Sequence, residues 1–348
     1  MKRDINAYVR PSIAALTPYS TARDEYKGEL GVFLDANESP YENGYNRYPD
    51  PHQKALKSQI SVIKGIATDN IFIGNGSDEA IDMVFRVFCE PRLDNVVAIA
   101  PSYGMYKVAA AINDVKIREV ALGEDYSLPV EALLAAADKN TKALFLCSPN
   151  NPTANSFPRE EVMRLVDEMD CMVVVDEAYI DFADAESLAS EIESHPNLVV
   201  LQTMSKAWAM AGLRVGLALA DKRVVELFSQ VKYPYNINVA TMGIVSELLT
   251  KGIEDQVSEI KAQRSVVVEA LGAFSFVEKV YPSDANFLLV KVEDADAVYD
   301  YLIADGIIVR NRNRVKGCQG CLRITIGVES ENDKLINSLK RYEERTIR

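Results

Sequence analysis

The chain has 348 residues, 48% of them hydrophobic and 26% charged, with a formal net charge of −13. That is ordinary globular composition, long enough for two domains or for one large domain with an appendage. Such an acidic balance excludes the electrostatic footprint of a nucleic-acid binder and sets the protein against anionic membrane surfaces, while leaving room for local basic pockets that hold small anions.

The opening stretch, MKRDINAYVRPSIAALTPYS, carries early charge but no apolar run of signal-peptide length, and nothing further on approaches membrane-spanning length. Residues 1–40, interrupted by Pro11, Pro18 and Pro40, read as an arm rather than a domain. Five scattered cysteines fit a reduced, cytoplasmic setting. Cys318 and Cys321 form a C-x-x-C with no second pair or histidine cluster beside it, so no metal is expected.

From about residue 70, short apolar runs alternate with helix-period segments. IFI (71–73) precedes GNGSDEAIDMVFRVFC, where Ile81, Val84, Phe85 and Phe88 mark one face of a helix starting near Ser77. NVVAIA, ALFLC, CMVVV and NLVVLQT follow as further strands, and RVGLALA comes after MSKAWAM. Their nearly continuous apolar character predicts strands covered on both faces, in a mostly parallel α/β sheet over 41–248. Past that point a long helical pattern, ANFLLVKV, a helical DADAVYDYLIADG, IIVRNR and CLRITIG predict a smaller α+β domain over 249–348.

Ligands of open α/β sheets bind outside the carboxyl ends of the strands, and here polar motifs follow strand after strand. Gly74-Asn75-Gly76-Ser77-Asp78 is a turn plus helix cap, or an anion cradle in which the amides of Ser77 and Asp78 face a phosphate. A dinucleotide fingerprint is excluded by Glu79 at its third glycine position. Tyr103 packs in the core or offers a flat face for stacking. Asp176 ends an apolar strand, where a carboxylate needs a partner: a cap, a metal, or a protonated pyridine nitrogen. Asn151 and Tyr179 could both reach the phenolic oxygen of such a ring. Lys206 follows Ser205 among small and apolar residues, with Arg214 eight positions later. Burial or a neighbouring cation lowers a lysine pKa and makes its amine a nucleophile for a carbonyl. The only histidines, His52 and His195, sit beside prolines in turn-like stretches, and no G-x-S-x-G elbow supports a serine hydrolase.

The pattern NNPT, DEAY 25 residues later, SK a further 30 on, then Arg214, resembles the fold-type I pyridoxal-phosphate enzymes of the aspartate-aminotransferase-like group. LTPYS, LDANESP, NRYPDP, VRNRNR and CLRITIG make the likeness nearly end to end, and narrow it to the histidinol-phosphate aminotransferase branch. That resemblance implies a cofactor, pyridoxal 5'-phosphate, held by Lys206 as a Schiff base. It implies Asp176 on the ring nitrogen, Asn151 and Tyr179 on the phenolic oxygen, and Tyr103 on the ring face. Ser77, Asp78, Ser205 and Arg214 would bind the cofactor phosphate. Tyr48 would reach across a homodimer to the neighbouring cofactor. Arg323, with Arg310, Tyr19 and Asn37, would bind the substrate anion, taking histidinol phosphate as donor and 2-oxoglutarate as acceptor. Arg312 and Arg314 are expected to face solvent. An aromatic aminotransferase or a threonine-phosphate decarboxylase is the alternative within the same fold.

Overall fold

The computed structural model describes residues 4–21 and 31–346, so part of the arm expected over 1–40 lies outside the described residues. Seven strands form the larger sheet: β1 (Ile71–Asn75), β2 (Asn95–Ala100), β3 (Lys116–Ala121), β4 (Thr141–Cys147), β5 (Met172–Asp176), β6 (Leu198–Thr203) and β7 (Val215–Ala220). Their order is β1-β7-β6-β5-β4-β2-β3. β7 is antiparallel to both its neighbours, β1 and β6, and the remaining pairs are parallel. Six strands therefore point the same way, and their carboxyl ends share one edge. β7 is reversed because residues 204–214 return the chain directly, with no crossover helix between the two strands.

Alternate residues along each strand feed two cores. In β5, Val173 and Val175 face one and Met172 and Val174 the other. Both faces are covered, which is why these strands read as unbroken apolar runs rather than alternating ones. The helix Ser77–Phe88 buries Ile81, Val84, Phe85 and Phe88, the face that its periodicity marks. A second, four-stranded antiparallel sheet has the order β10-β11-β9-β8, from β8 (Val277–Val280), β9 (Phe287–Val292), β10 (Arg310–Asn311) and β11 (Cys321–Thr325). Helices Glu254–Gly272, Ala295–Ala304 and Glu329–Thr346 close a separate core over it.

One close approach sets the geometry of the strand edge. Gly76 precedes the helix with φ +78°, and its N–H donates to the Arg214 carbonyl at 2.7 Å. A Cβ on Gly216, at the start of β7, would lie 2.0 Å from the Ser77 backbone nitrogen. Only glycine lets β7 press against the first turn of that helix. Gly216→Ala must push strand and helix apart. An overpacking penalty of about 1–3 kcal/mol or more is expected from urea unfolding of the variant against wild type.

Candidate active site

The carboxyl ends of the strands open into a cleft of about 1330 Å³. Ser77, Asp78, Tyr103, Asn151, Asp176, Tyr179, Ser205, Lys206, Arg214, Arg310 and Arg323 all line it. The first nine come from the larger sheet and the two arginines from β10 and β11.

At one end the helix Ser77–Phe88 presents its unpaired N-terminal amides, a natural seat for an anion. Arg214, in a left-handed conformation, lies over that end. Its Nη1 is 3.4 Å from Ser205 Oγ and 3.3 Å from the Ala211 carbonyl, and its Nη2 is 3.6 Å from Asp78 Oδ2. A Cβ on Gly76 would come within 2.6 Å of Arg214 Nη2, so glycine there keeps space for the guanidinium. The Tyr103 hydroxyl donates to Asp78 Oδ1 at 3.0 Å, which anchors its ring on the cleft wall.

At the centre Asp176 is only 2% exposed. Its carboxylate accepts from the Tyr106 hydroxyl at 2.8 Å and from the Ala178 N–H at 3.1 Å. Among the described residues it forms no ion pair. Burial pushes its pKa up to about 6, against the pull of those two donors. Lys206 Nζ stands 5.6 Å from the centre of the Tyr179 ring. The side chain is open to the cleft, yet the cleft walls crowd it and its pKa is lowered. Desolvation is the main cause, then the positive charge of Arg323, with a smaller contribution from Arg214 and an opposing pull from Asp176. Arg323, from the other sheet, thus weighs more on the lysine than Arg214, eight positions along the chain. Asn151 Nδ2 lies 3.4 Å from the Tyr179 hydroxyl, while its Oδ1 accepts from Arg323 Nη1 at 2.5 Å.

Three candidates lie elsewhere in the chain. Tyr48, 52% exposed, stacks on Tyr235 at 4.4 Å and lines a separate groove with Asn37. Tyr19 is exposed and lines neither. Arg310 and Arg314 are exposed at the cleft rim. Arg312 differs from the expectation of a solvent-facing side chain: it is half-buried on the cleft wall, its Nε without a hydrogen-bond partner. Cys318 and Cys321 are buried free thiols, and no metal-binding group of side chains exists among the described residues.

Tyr106 escaped the sequence reading. It sits in the first turn of the helix Met105–Ile112, which reads simply as apolar. The available signal was its hydroxyl, since a buried tyrosine needs a partner for that group.

The fate of Asp176 can be read from stability. Its folded pKa, about 6, lies above the ordinary 3.8, so the folded state holds the proton more tightly. This carboxyl favours folding below about pH 4 and opposes it increasingly up to about pH 6 and beyond. Asp176→Asn is therefore expected to stabilise the ligand-free protein at pH 8, by at most roughly 3 kcal/mol. The gain should vanish near pH 4 in urea titrations.

The Aminotransferase class I and II family matches residues 28–339. A Parabacteroides distasonis protein named histidinol-phosphate aminotransferase is 51% identical over 340 residues, covering 97% of this chain and 99% of its own. The crystal structure of the histidinol-phosphate aminotransferase from Clostridium acetobutylicum superposes with a TM-score of 0.78 at 26% identity, covering 86% of this chain and 91% of that one. The Sinorhizobium meliloti enzyme, solved in complex with pyridoxal-5'-phosphate, shares the fold at a TM-score of 0.79 and 24% identity, over 86% of this chain and 84% of that one. With the family matched over most of its length and a half-identical relative aligned nearly end to end, this chain belongs to the class I and II aminotransferases.

Proposed function

We propose that the chain is a pyridoxal 5'-phosphate-dependent aminotransferase that moves the amino group of L-histidinol phosphate to 2-oxoglutarate, giving imidazole acetol phosphate and L-glutamate in histidine biosynthesis. The observation that carries it is a desolvated lysine between a buried carboxylate without a counter-cation and a wall of unpaired arginines. The half-identical relative bears the name of that enzyme.

The donor set fits the cofactor. A buried anion at Asp176 calls for a cationic partner such as a protonated ring nitrogen. The Ser77 and Asp78 amides, the Ser205 hydroxyl and Arg214 make a phosphate seat. Asn151 and Tyr179 offer donors to a phenolic oxygen, and Tyr103 a flat face. When bound, the cofactor supplies an aldehyde to capture the substrate amine and a ring that accepts the electron pair left at Cα. The chain supplies the rest. Lys206 would hold the cofactor through its amine until the substrate amine takes that place. Its pKa is lowered, which suits an amine that would take the proton from the substrate's Cα and give it back later in the transfer. Asp176, held by the Tyr106 hydroxyl, would pair with the ring nitrogen. Arg323 and Arg310 take the substrate's distal anion.

In this reading residues 41–248 hold the cofactor and 249–348 close over the substrate. A homodimer in the cytoplasm is part of the proposal. Tyr48 is supported as a residue that acts across the interface by its place away from its own cleft. It lines its groove with exposed Tyr45 and stacks on Tyr235, an aromatic surface of the kind that partners cover. Five buried free thiols suit a reducing compartment.

The decisive experiment is the absorption spectrum of the reconstituted protein on adding L-histidinol phosphate without a keto acid. Loss of the yellow form is expected, with its return on adding 2-oxoglutarate. Conversion by phenylalanine alone would move the substrate, and release of carbon dioxide from O-phospho-L-threonine would move the reaction. Lys206→Ala should lower turnover by at least about 10²–10⁴-fold. Mixing Lys206→Ala with Tyr48→Ala subunits should regain activity absent from either alone, because one site of the hybrid has both intact residues. Failure to complement would remove Tyr48 from the partner's site.

A further inference from the structure

The segment Arg310-Asn311-Arg312-Asn313 is built as a two-sided strand. β10 pairs with β11 so that Arg310 is opposite Arg323. The Arg312 N–H extends the ladder by donating to the Cys321 carbonyl at 2.9 Å. Side chains alternate across a strand, so the two arginines share one face and the two asparagines the other. The asparagine face is pinned: Asn311 Nδ2 and Asn313 Nδ2 donate to the two oxygens of Asp296 at 2.6 and 2.9 Å. The arginine face is thereby turned to the cleft, where Arg310, Arg312 and Arg323 form one wall.

That wall has no anion of its own. None of the three guanidiniums forms an ion pair among the described residues, and the Nε atoms of both Arg312 and Arg323 are buried without a partner. Arg312 feels the crowding: burial, then the charges of Arg323 and Arg310, bring its pKa down to about 10. A carboxylate carries one charge and is satisfied by a single bidentate fork. A phosphate monoester carries close to two charges and three acceptor oxygens, and calls for more than one arginine.

We infer that Arg312 is a specificity-determining residue, binding the phosphate of a phosphate-monoester substrate together with Arg310 and Arg323 and setting the preference for that group over a carboxylate. Asp296 acts behind it as a positioning residue, through Asn311 and Asn313. The inference rests on the proposed reaction for the identity of the substrate.

The test uses the holoenzyme, with Arg312→Gln and Arg312→Lys compared with wild type. In Arg312→Gln the KM for L-histidinol phosphate should rise roughly tenfold to a hundredfold, the range set by losing hydrogen bonds to a charged group. The kcat should change far less, and so should the KM for L-glutamate. Arg312→Lys keeps the charge but not the fork, and should fall between; it decides the matter if the glutamine variant does not fold. Calorimetric binding of phenyl phosphate, which cannot react, should weaken in parallel. Equal effects on both substrates, or an unchanged KM and phenyl phosphate affinity, would overturn the inference. If the wild type does not turn over L-histidinol phosphate at all, the substrate reading falls. The phenyl phosphate comparison then settles the part played by Arg312 by itself.

Discussion

A carboxylate without a counter-cation, sealed at the end of a central strand, is the constraint around which the cleft is organised. Asp176 terminates β5, in the middle of the seven-stranded sheet, where apolar cores cover both faces. Taking an ion out of water there costs several kcal/mol even after relaxation. Two hydrogen bonds, from Tyr106 and the Ala178 amide, recover only part of that. The remainder is held as an unmet demand for positive charge. A well-packed apolar residue at 176 would serve the fold better, so the carboxylate reads as a functional group maintained at some loss of stability. A protonated ring nitrogen, as proposed, would meet the demand, and burial would then strengthen the pairing, because little water screens it.

The positive charges are arranged around that anion rather than against it. Arg214 lies at the helix-terminus end of the cleft, and Arg323, Arg312 and Arg310 along the opposite wall. Lys206 stands between the two groups. Arg323 and Arg214 repel its proton while Asp176 attracts it, and desolvation adds to the repulsion, so its pKa is lowered. One arrangement thus offers a seat for an anion at each end of the cleft with a lysine of lowered pKa between them. In a protein with a net charge of −13, this pocket is a local reversal of sign.

Much of this was legible because strand polarity and motif position are linear properties of the chain. Six strands pointing the same way bring Ser77, Tyr103, Asn151, Asp176 and Lys206 to one edge, and each of those residues directly follows or ends an apolar run. What escaped depended on relations that a run of letters does not display. The reversal of β7 follows from a connection too short for a crossover, although its apolar texture matches that of its parallel neighbours. Tyr106 looks like core until its hydroxyl is matched to Asp176, 70 residues away. Arg312 resembles any surface arginine. Its orientation depends on Asp296 pinning the alternate asparagines from a neighbouring helix.

The two groups of functional side chains hang from different sheets, and a charged contact spans them. Arg323 belongs to β11 of the four-stranded sheet, and Asn151 follows β4 of the seven-stranded one. The guanidinium donates to the amide oxygen at 2.5 Å, while the amide nitrogen of the same side chain stands 3.4 Å from the Tyr179 hydroxyl. An asparagine can do both because its oxygen accepts while its nitrogen donates. A leucine of similar size could do neither, and an aspartate would lose the donor. Arg323 commits one of its five N–H groups to this link, and its Cζ lies 5.3 Å from the centre of the Phe287 ring, which leaves donors for a ligand. The same guanidinium that can grip the far end of a substrate is therefore held in register with a side chain at the centre of the cleft. That is how two separately packed sheets present one continuous site.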